Sequence, residues 1–271
     1  MNALPAPDQT LMFREAHESA AAVARQLDAN EAAVRALAER LRGSPPRFVV
    51  TSARGSSDHA ATFAKYVFET QLGYATSSAP PSVSSVYSVP QKLDGALYLA
   101  ISQSGKSPDL LRQAQAAQKS GARVVALVNV EDSPLAALAD DVIPLRAGVE
   151  NSVAATKSYV CSLAAIVHIA ALWKSDPELL AALRAVPAAI EATWTMDWSA
   201  LVDGLVDARN LFVVGRGLGL AAAQEAALKL KETCGLHAEA FSAAEVKHGP
   251  MTLVNPGFPV LFFTQDDDTE A

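Results

Sequence analysis

The chain has 271 residues, half of them hydrophobic and only 6% aromatic, with a net charge of −7. That length allows one large or two small domains around a core of Ala, Val and Leu. The acidic balance and the lack of a basic stripe argue against a nucleic-acid surface, and no apolar run nears the roughly 20 residues of a membrane span. Cys161 and Cys234 sit in helical patterns without a partner motif, as reduced thiols do in a cytoplasmic protein. The N-terminal stretch has neither the basic nor the apolar region of a signal peptide.

Residues 10–42 carry apolar side chains at spacings near 3.6, which predicts one long amphipathic helix ended by "GSPP". The rhythm then changes. A β-branched strand is predicted over 47–53, a helix over 56–73, a buried strand over 93–102 and a helix over 107–122. A third strand follows over 123–129, a short helix over 133–140 and a fourth strand over 141–147. Continuous apolar strands alternating with helices predict a parallel sheet covered on both faces. Two Ala-rich helical stretches, 151–173 and 176–206, come next, the second broken near Pro187.

At "NLFVVGRG" the pattern restarts. An offset of 162 residues places Arg54-Gly55 on Arg216-Gly217 and Gly73 on Gly235. This is the mark of a duplicated α/β module. The second copy reads as a strand over 211–214, a helix over 219–234, a loop, and a strand over 259–263. Two strands and one helix make a poor core, so this copy is expected to be cut short or completed by a neighbouring subunit. The predicted organisation is a helical segment (1–46), a first module (47–174), a helical linker (175–209) and an incomplete second module (210–271).

Four stretches carry polar groups where open parallel sheets bind ligands. In "ISQSGKSPDLL", Ser102, Gln103, Ser104 and Ser107 surround Gly105 just before a helix, whose free N–H groups favour an anion. With no phosphate-loop lysine and no G-x-G-x-x-G, the loop suits a monophosphate. The plainer alternative is that Ser107 caps the helix, with Asp109 in its first turn. "ARGSSDH" repeats the placement with Arg54, Gly55, Ser57 and the weaker His59. In "GVENSVAATKSYV", Asn151 and Ser152 are possible helix caps, and Lys157 is either a solvated lysine or a ligand group. In "AALKLKETCGLHAEAFSAAEVKHGPM", Lys229 and Glu232 are i,i+3 neighbours near the apolar end of a helix. Glu239, Glu245, Lys247 and His248 follow in a predicted loop. A carboxylate with a histidine is a workable acid–base set at a sugar carbonyl, and a surface ion pair is the alternative.

Taken together, these four stretches resemble the sugar isomerase (SIS) domain family, from about Met12 to the end of the chain. More narrowly they resemble the isomerase half of glucosamine-6-phosphate synthase and stand-alone SIS-type glucosamine-6-phosphate deaminases. The resemblance implies an α/β fold of two doubly wound, flavodoxin-like parallel-sheet modules, with no metal and no cofactor. It implies that Ser102, Gln103, Ser104 and Ser107 hold a sugar phosphate, with Gly55, Ser57 and the Val153 backbone against the sugar. Glu232 is implied as the carboxylate that moves a proton between C1 and C2, with Lys229 beside it. His248 is implied in ring opening, reaching across the interface of a homodimer.

Two departures stand out. The synthase carries an N-terminal glutaminase whose cysteine follows the initiator Met, and here Asn2 follows Met1. Free ammonia is therefore expected, favouring deamination. The family's C-terminal lysine that closes over the sugar lies beyond the point where this sequence stops. The expected function is conversion of glucosamine 6-phosphate to fructose 6-phosphate and ammonia. The alternatives are a glutamine-independent aminating isomerase, another amino-sugar-phosphate isomerase, or a non-catalytic phosphosugar sensor. A sensor has no need of Glu232 and His248 together.

Overall fold

The computed structural model of the chain describes residues 6–267; residues 1–5, with Asn2 among them, and 268–271 lie outside it. The chain divides after Ala192 into two compact units.

The first unit opens with α1 (Leu11–His17) and α2 (Ser19–Gly43). The single helix expected over 10–42 is thus two, broken at Glu18. Then follow β1 (Phe48–Ser52), α3 (Ser56–Leu72), β2 (Thr76–Ser78), α4 (Ser82–Ser85), β3 (Ala96–Ser102) and α5 (Pro108–Lys119). β4 (Arg123–Val128), α6 (Pro134–Leu138), β5 (Asp141–Pro144), α7 (Lys157–Lys174) and α8 (Pro177–Thr193) complete the series. The five strands form one parallel sheet in the order β2-β1-β3-β4-β5.

Every residue of β3 is buried, as a central strand covered on both faces requires. Tyr98 and Ala100 pack with Leu110 and Ala114 of α5 in one core layer. Their neighbours Leu97, Leu99 and Ile101 point to the opposite face by strand alternation, where α2, α3 and α7 pack on one another. Pro187 lies inside α8 without ending it, contrary to the expected break. The interruption comes later, between Thr193 and Ser199.

The second unit holds α9 (Ser199–Leu205), β6 (Asn210–Gly215), α10 (Leu218–Cys234), β7 (His237–Ser242) and β8 (Val260–Phe263). Its sheet is parallel with three strands in the order β7-β6-β8, where two strands were expected. The stretch read as loop after α10 contains β7. Its polar sequence, HAEAFS, hides a strand with one buried residue, Ala238.

The duplication holds to the residue. α3 and α10 both have 17 residues and start 162 positions apart. Each is entered through a glycine in the same unusual conformation, Gly55 at φ 55°, ψ −133° and Gly217 at φ 56°, ψ −127°. Each ends on a left-handed glycine, Gly73 and Gly235. The sheet registers keep the same offset. Val49 faces Thr76 as Leu211 faces Ala238, and Val50 faces Tyr98 as Phe212 faces Val260.

Candidate functional site

The hydroxyl loop leaves the C-terminal end of β3 and is closed by its own backbone. Ser102 Oγ accepts from the Gly105 N–H at 3.0 Å. The Gln103 carbonyl accepts from Asn129 and Val130 N–H groups at 3.2 and 3.3 Å, tying the loop to the end of β4. Gly105 sits at φ +61°, and a Cβ there would lie 2.2 Å from Ser133 Oγ. Ser104 Oγ accepts weakly from the Lys106 N–H at 3.4 Å. Ser107 occupies the N-cap position of α5 with extended backbone, yet its hydroxyl makes no capping bond. The plainer reading of Ser107 as a hydrogen-bonding cap is not what the structure has. Pro108 at the first helical position has no N–H, so the Asp109 and Leu110 amides are the first backbone donors of α5.

The turn after β1 is fastened to the same place. Ser52 Oγ donates to Gln113 Oε1 of α5 at 2.5 Å, and Gln113 Nε2 donates to the Ala79 carbonyl at 3.2 Å. Arg54 reaches Asp109, in the first turn of α5, at 3.6 Å, and Arg112 lies 4.0 Å from the same carboxylate. The one acidic group at the start of α5 is therefore turned toward arginines. Ser57 is half-buried in the first turn of α3, where its N–H donates to the Arg54 carbonyl at 3.1 Å. The two turns thus leave paired parallel strands and are bridged by Arg54–Asp109.

The loop between β5 and α7 differs from expectation. Asn151 and Ser152 do not cap α7, which begins at Lys157 after Thr156. Instead Glu150 Oε1 accepts from the Thr156 and Ser158 N–H groups at 2.8 and 3.3 Å. Lys157 is 1% exposed and its ammonium pairs with Glu18, so it is neither solvated nor free. Val153 is 91% exposed, and the Val153–Ala154 peptide is cis. Behind the loop, burial pushes the Cys161 thiol up to about 12, which leaves it inert. A cleft of about 740 Å³ opens beside the start of the loop, walled by Arg25, Gln103, Asn129, Arg146 and Glu150.

In the second unit, α10 carries a carboxylate–ammonium–carboxylate row. Lys229 Nζ lies 2.7 Å from Glu232 Oε2 and 3.2 Å from Glu225 Oε1. Glu225 was missed by sequence reading, although its i,i+4 spacing to Lys229 was there to be seen. It is the buried member of the row. Glu232, expected near a buried end of the helix, is exposed. His248 closes a short 3₁₀ turn (Glu245–His248) after β7 and is also exposed. It lines a cleft of about 530 Å³ with Arg216, Lys247, Phe263 and Gln265. Lys229 and Glu232 do not line that cleft. Glu239 lies in β7 and Glu245 opens the 3₁₀ turn. Among the described residues no cluster of His, Cys, Asp or Glu could hold a metal, and no helix is long and apolar enough to cross a membrane.

The SIS domain family model matches residues 45–172 and 204–271, one match over each sheet. The chain is 35% identical over 265 residues to a glutamine–fructose-6-phosphate aminotransferase (isomerizing) of Sulfurisphaera tokodaii, covering 96% of this chain and 44% of that protein. It thus spans less than half the length of such relatives. A crystal structure from Silicibacter pomeroyi DSS-3, provisionally described as a phosphosugar isomerase, matches with TM-score 0.93 and 47% identity. That match covers 96% of this chain and 80% of the other. The C-terminal domain of glucosamine-fructose-6-phosphate aminotransferase from Francisella tularensis matches with TM-score 0.84 and 28% identity, covering 97% and 78%. With a duplicated parallel-sheet module and both copies matched, the chain belongs to the SIS domain family.

Proposed function

We propose that the protein is an amino-sugar-phosphate isomerase/deaminase that converts glucosamine 6-phosphate to fructose 6-phosphate and ammonia. The observation that carries this reading is the hydroxyl loop at the start of α5. Its N-cap serine is not spent on capping, and its one acidic neighbour is engaged by arginines. Such a loop offers hydroxyl and backbone donors to a dianionic monophosphate without a dedicated lysine. The proposed anchors are Ser102, Gln103, Ser104 and Ser107. Gly55 and Ser57 would meet the sugar from the neighbouring turn, and Val153 through its backbone.

In the proposed chemistry His248 assists ring opening, and Glu232 removes the C2 proton of the open-chain amino aldose and returns it at C1. The C2 imine so formed is hydrolysed to the ketose, releasing ammonia. Lys229, 2.7 Å from Glu232, orients its carboxylate. We assign His248 to the site of a second subunit in a homodimer. Support comes from the cleft that His248 lines, which Glu232 and Lys229 do not share. The name of the S. tokodaii relative favours a second reading, amination of fructose 6-phosphate by the same proton transfer run in reverse. Ammonia release from glucosamine 6-phosphate, and its consumption with fructose 6-phosphate, measures both directions. Loss of either rate by about 10²-fold or more in Glu232→Gln is expected of a general base. A variant as active as wild type would remove Glu232 from the mechanism.

A further inference from the structure

The loop that carries Val153 is held from outside by the N-terminal helices. Glu15, on α1, is a carboxylate only 6% exposed. Its Oε1 accepts from the Asn151 N–H at 2.7 Å and its Oε2 from the Ser152 N–H at 3.0 Å. Two successive amides thus converge on the two oxygens of one side chain, 136 and 137 residues away in sequence. One turn later Glu18 pairs with Lys157, the first residue of α7. The two carboxylates pin both ends of the segment 151–157, and Val153 stands between the pins.

A buried carboxylate is costly unless its oxygens are bonded, and bonds from backbone amides to a charge are among the stronger ones. Among the described residues, Glu15 is the acceptor of the 151 and 152 amides, while Glu150 anchors the far end of the loop through the Thr156 and Ser158 amides. From this geometry we propose that Glu15 is a positioning residue. It fixes the backbone beside Val153 so that the loop is already in place when a phosphosugar arrives. The inference rests on the functional reading above for the role of Val153, and on the hydrogen bonds alone for the hold on the loop.

Two substitutions at Glu15 should differ in effect. Glu15→Ala frees both amides, while Glu15→Gln keeps one acceptor oxygen and replaces the other with an amide that cannot accept. Preorganisation lowers the cost of binding without touching the reacting atoms. KM for glucosamine 6-phosphate should therefore rise by about tenfold or more in Glu15→Ala, with kcat within about twofold. Glu15→Gln should fall between. Hydrogen exchange of the peptide spanning 150–154, measured without ligand, should accelerate by about tenfold in Glu15→Ala. Should that variant fail to fold, the same two measurements on Glu15→Gln decide the matter. Unchanged exchange, or faster exchange with unchanged KM, would overturn the proposal. Failure of the wild type to bind or turn over glucosamine 6-phosphate would instead overturn the functional reading, and the exchange result would still report whether Glu15 holds the loop.

Discussion

Gly105→Ala should damage the hydroxyl loop more than the same change at a positive-φ glycine with open space around it. Two costs combine. At φ +61° an alanine is strained by about 1 kcal/mol. The added Cβ would lie 2.2 Å from Ser133 Oγ and 2.6 Å from Ser133 Cβ. Ser133 cannot step aside, since it is fully buried and its Oγ caps α6 by accepting from the Ala136 N–H at 3.3 Å. Relieving the overlap costs about 1–3 kcal/mol as overpacking, and losing the cap about 1 kcal/mol. A total of about 3–5 kcal/mol corresponds to roughly 6–20 °C in the melting of the first unit. Gly73→Ala is the control. Gly73 is left-handed at φ +74°, ψ 13°, but a Cβ added there would meet nothing within 4 Å, so only the strain of about 1 kcal/mol applies. Thermal denaturation of the two variants gives the comparison. Equal losses, or a Gly105→Ala variant melting within about 1 °C of wild type, would refute the close-approach argument.

The pair formed by the buried Lys157 and the exposed Glu18 should behave asymmetrically. Glu18→Ala leaves an ammonium that is 1% exposed without its partner and should cost about 3 kcal/mol. Lys157→Met leaves Glu18 facing solvent and should cost less than about 1 kcal/mol in denaturant titration. His168 on α7, buried against Glu31 at 3.1 Å, should make the fold acid-sensitive. Burial pushes its pKa below the ordinary 6.5, against a smaller opposing pull from Glu31. The unfolded chain then binds a proton that the folded one resists, so this stability is full above pH 6.5 and falls as pH drops below it. Between pH 7 and pH 5, His168→Gln should lose less stability than wild type; an equal or greater loss would count against this.

Much of this was legible in the sequence, and the reasons are local. The 162-residue offset could be read because positive-φ turns demand glycine, so Gly55, Gly73, Gly217 and Gly235 survive as punctuation while the core residues between them vary. The apolar run of β3 and the hydroxyls after it announced the loop that is proposed to hold a phosphate. The short polar strands β2 and β7 escaped because neither shows an apolar run or a clear alternation. The break at Glu18 and the burial of Lys157 escaped for another reason. Both depend on partners about 140 residues apart in the chain, and no periodicity encodes such a pairing. Glu15 belongs to the same class, since in sequence it is one more acidic residue on an amphipathic helix. Ser107 was half-legible: its N-cap position could be read, but not that its hydroxyl is left free of the cap.

The most direct measurement is calorimetric binding to Glu232→Gln, a variant chosen to hold the sugar without consuming it. Glucosamine 6-phosphate should bind it, and unphosphorylated glucosamine should bind at least about 10²-fold more weakly if the α5 loop anchors the phosphate. Adding Ser107→Ala should weaken the phosphosugar by about tenfold while leaving the melting temperature unchanged, because that hydroxyl makes no capping bond. Equal affinity for the two sugars, or indifference to Ser107→Ala, would contradict the assignment of this loop as the phosphate anchor.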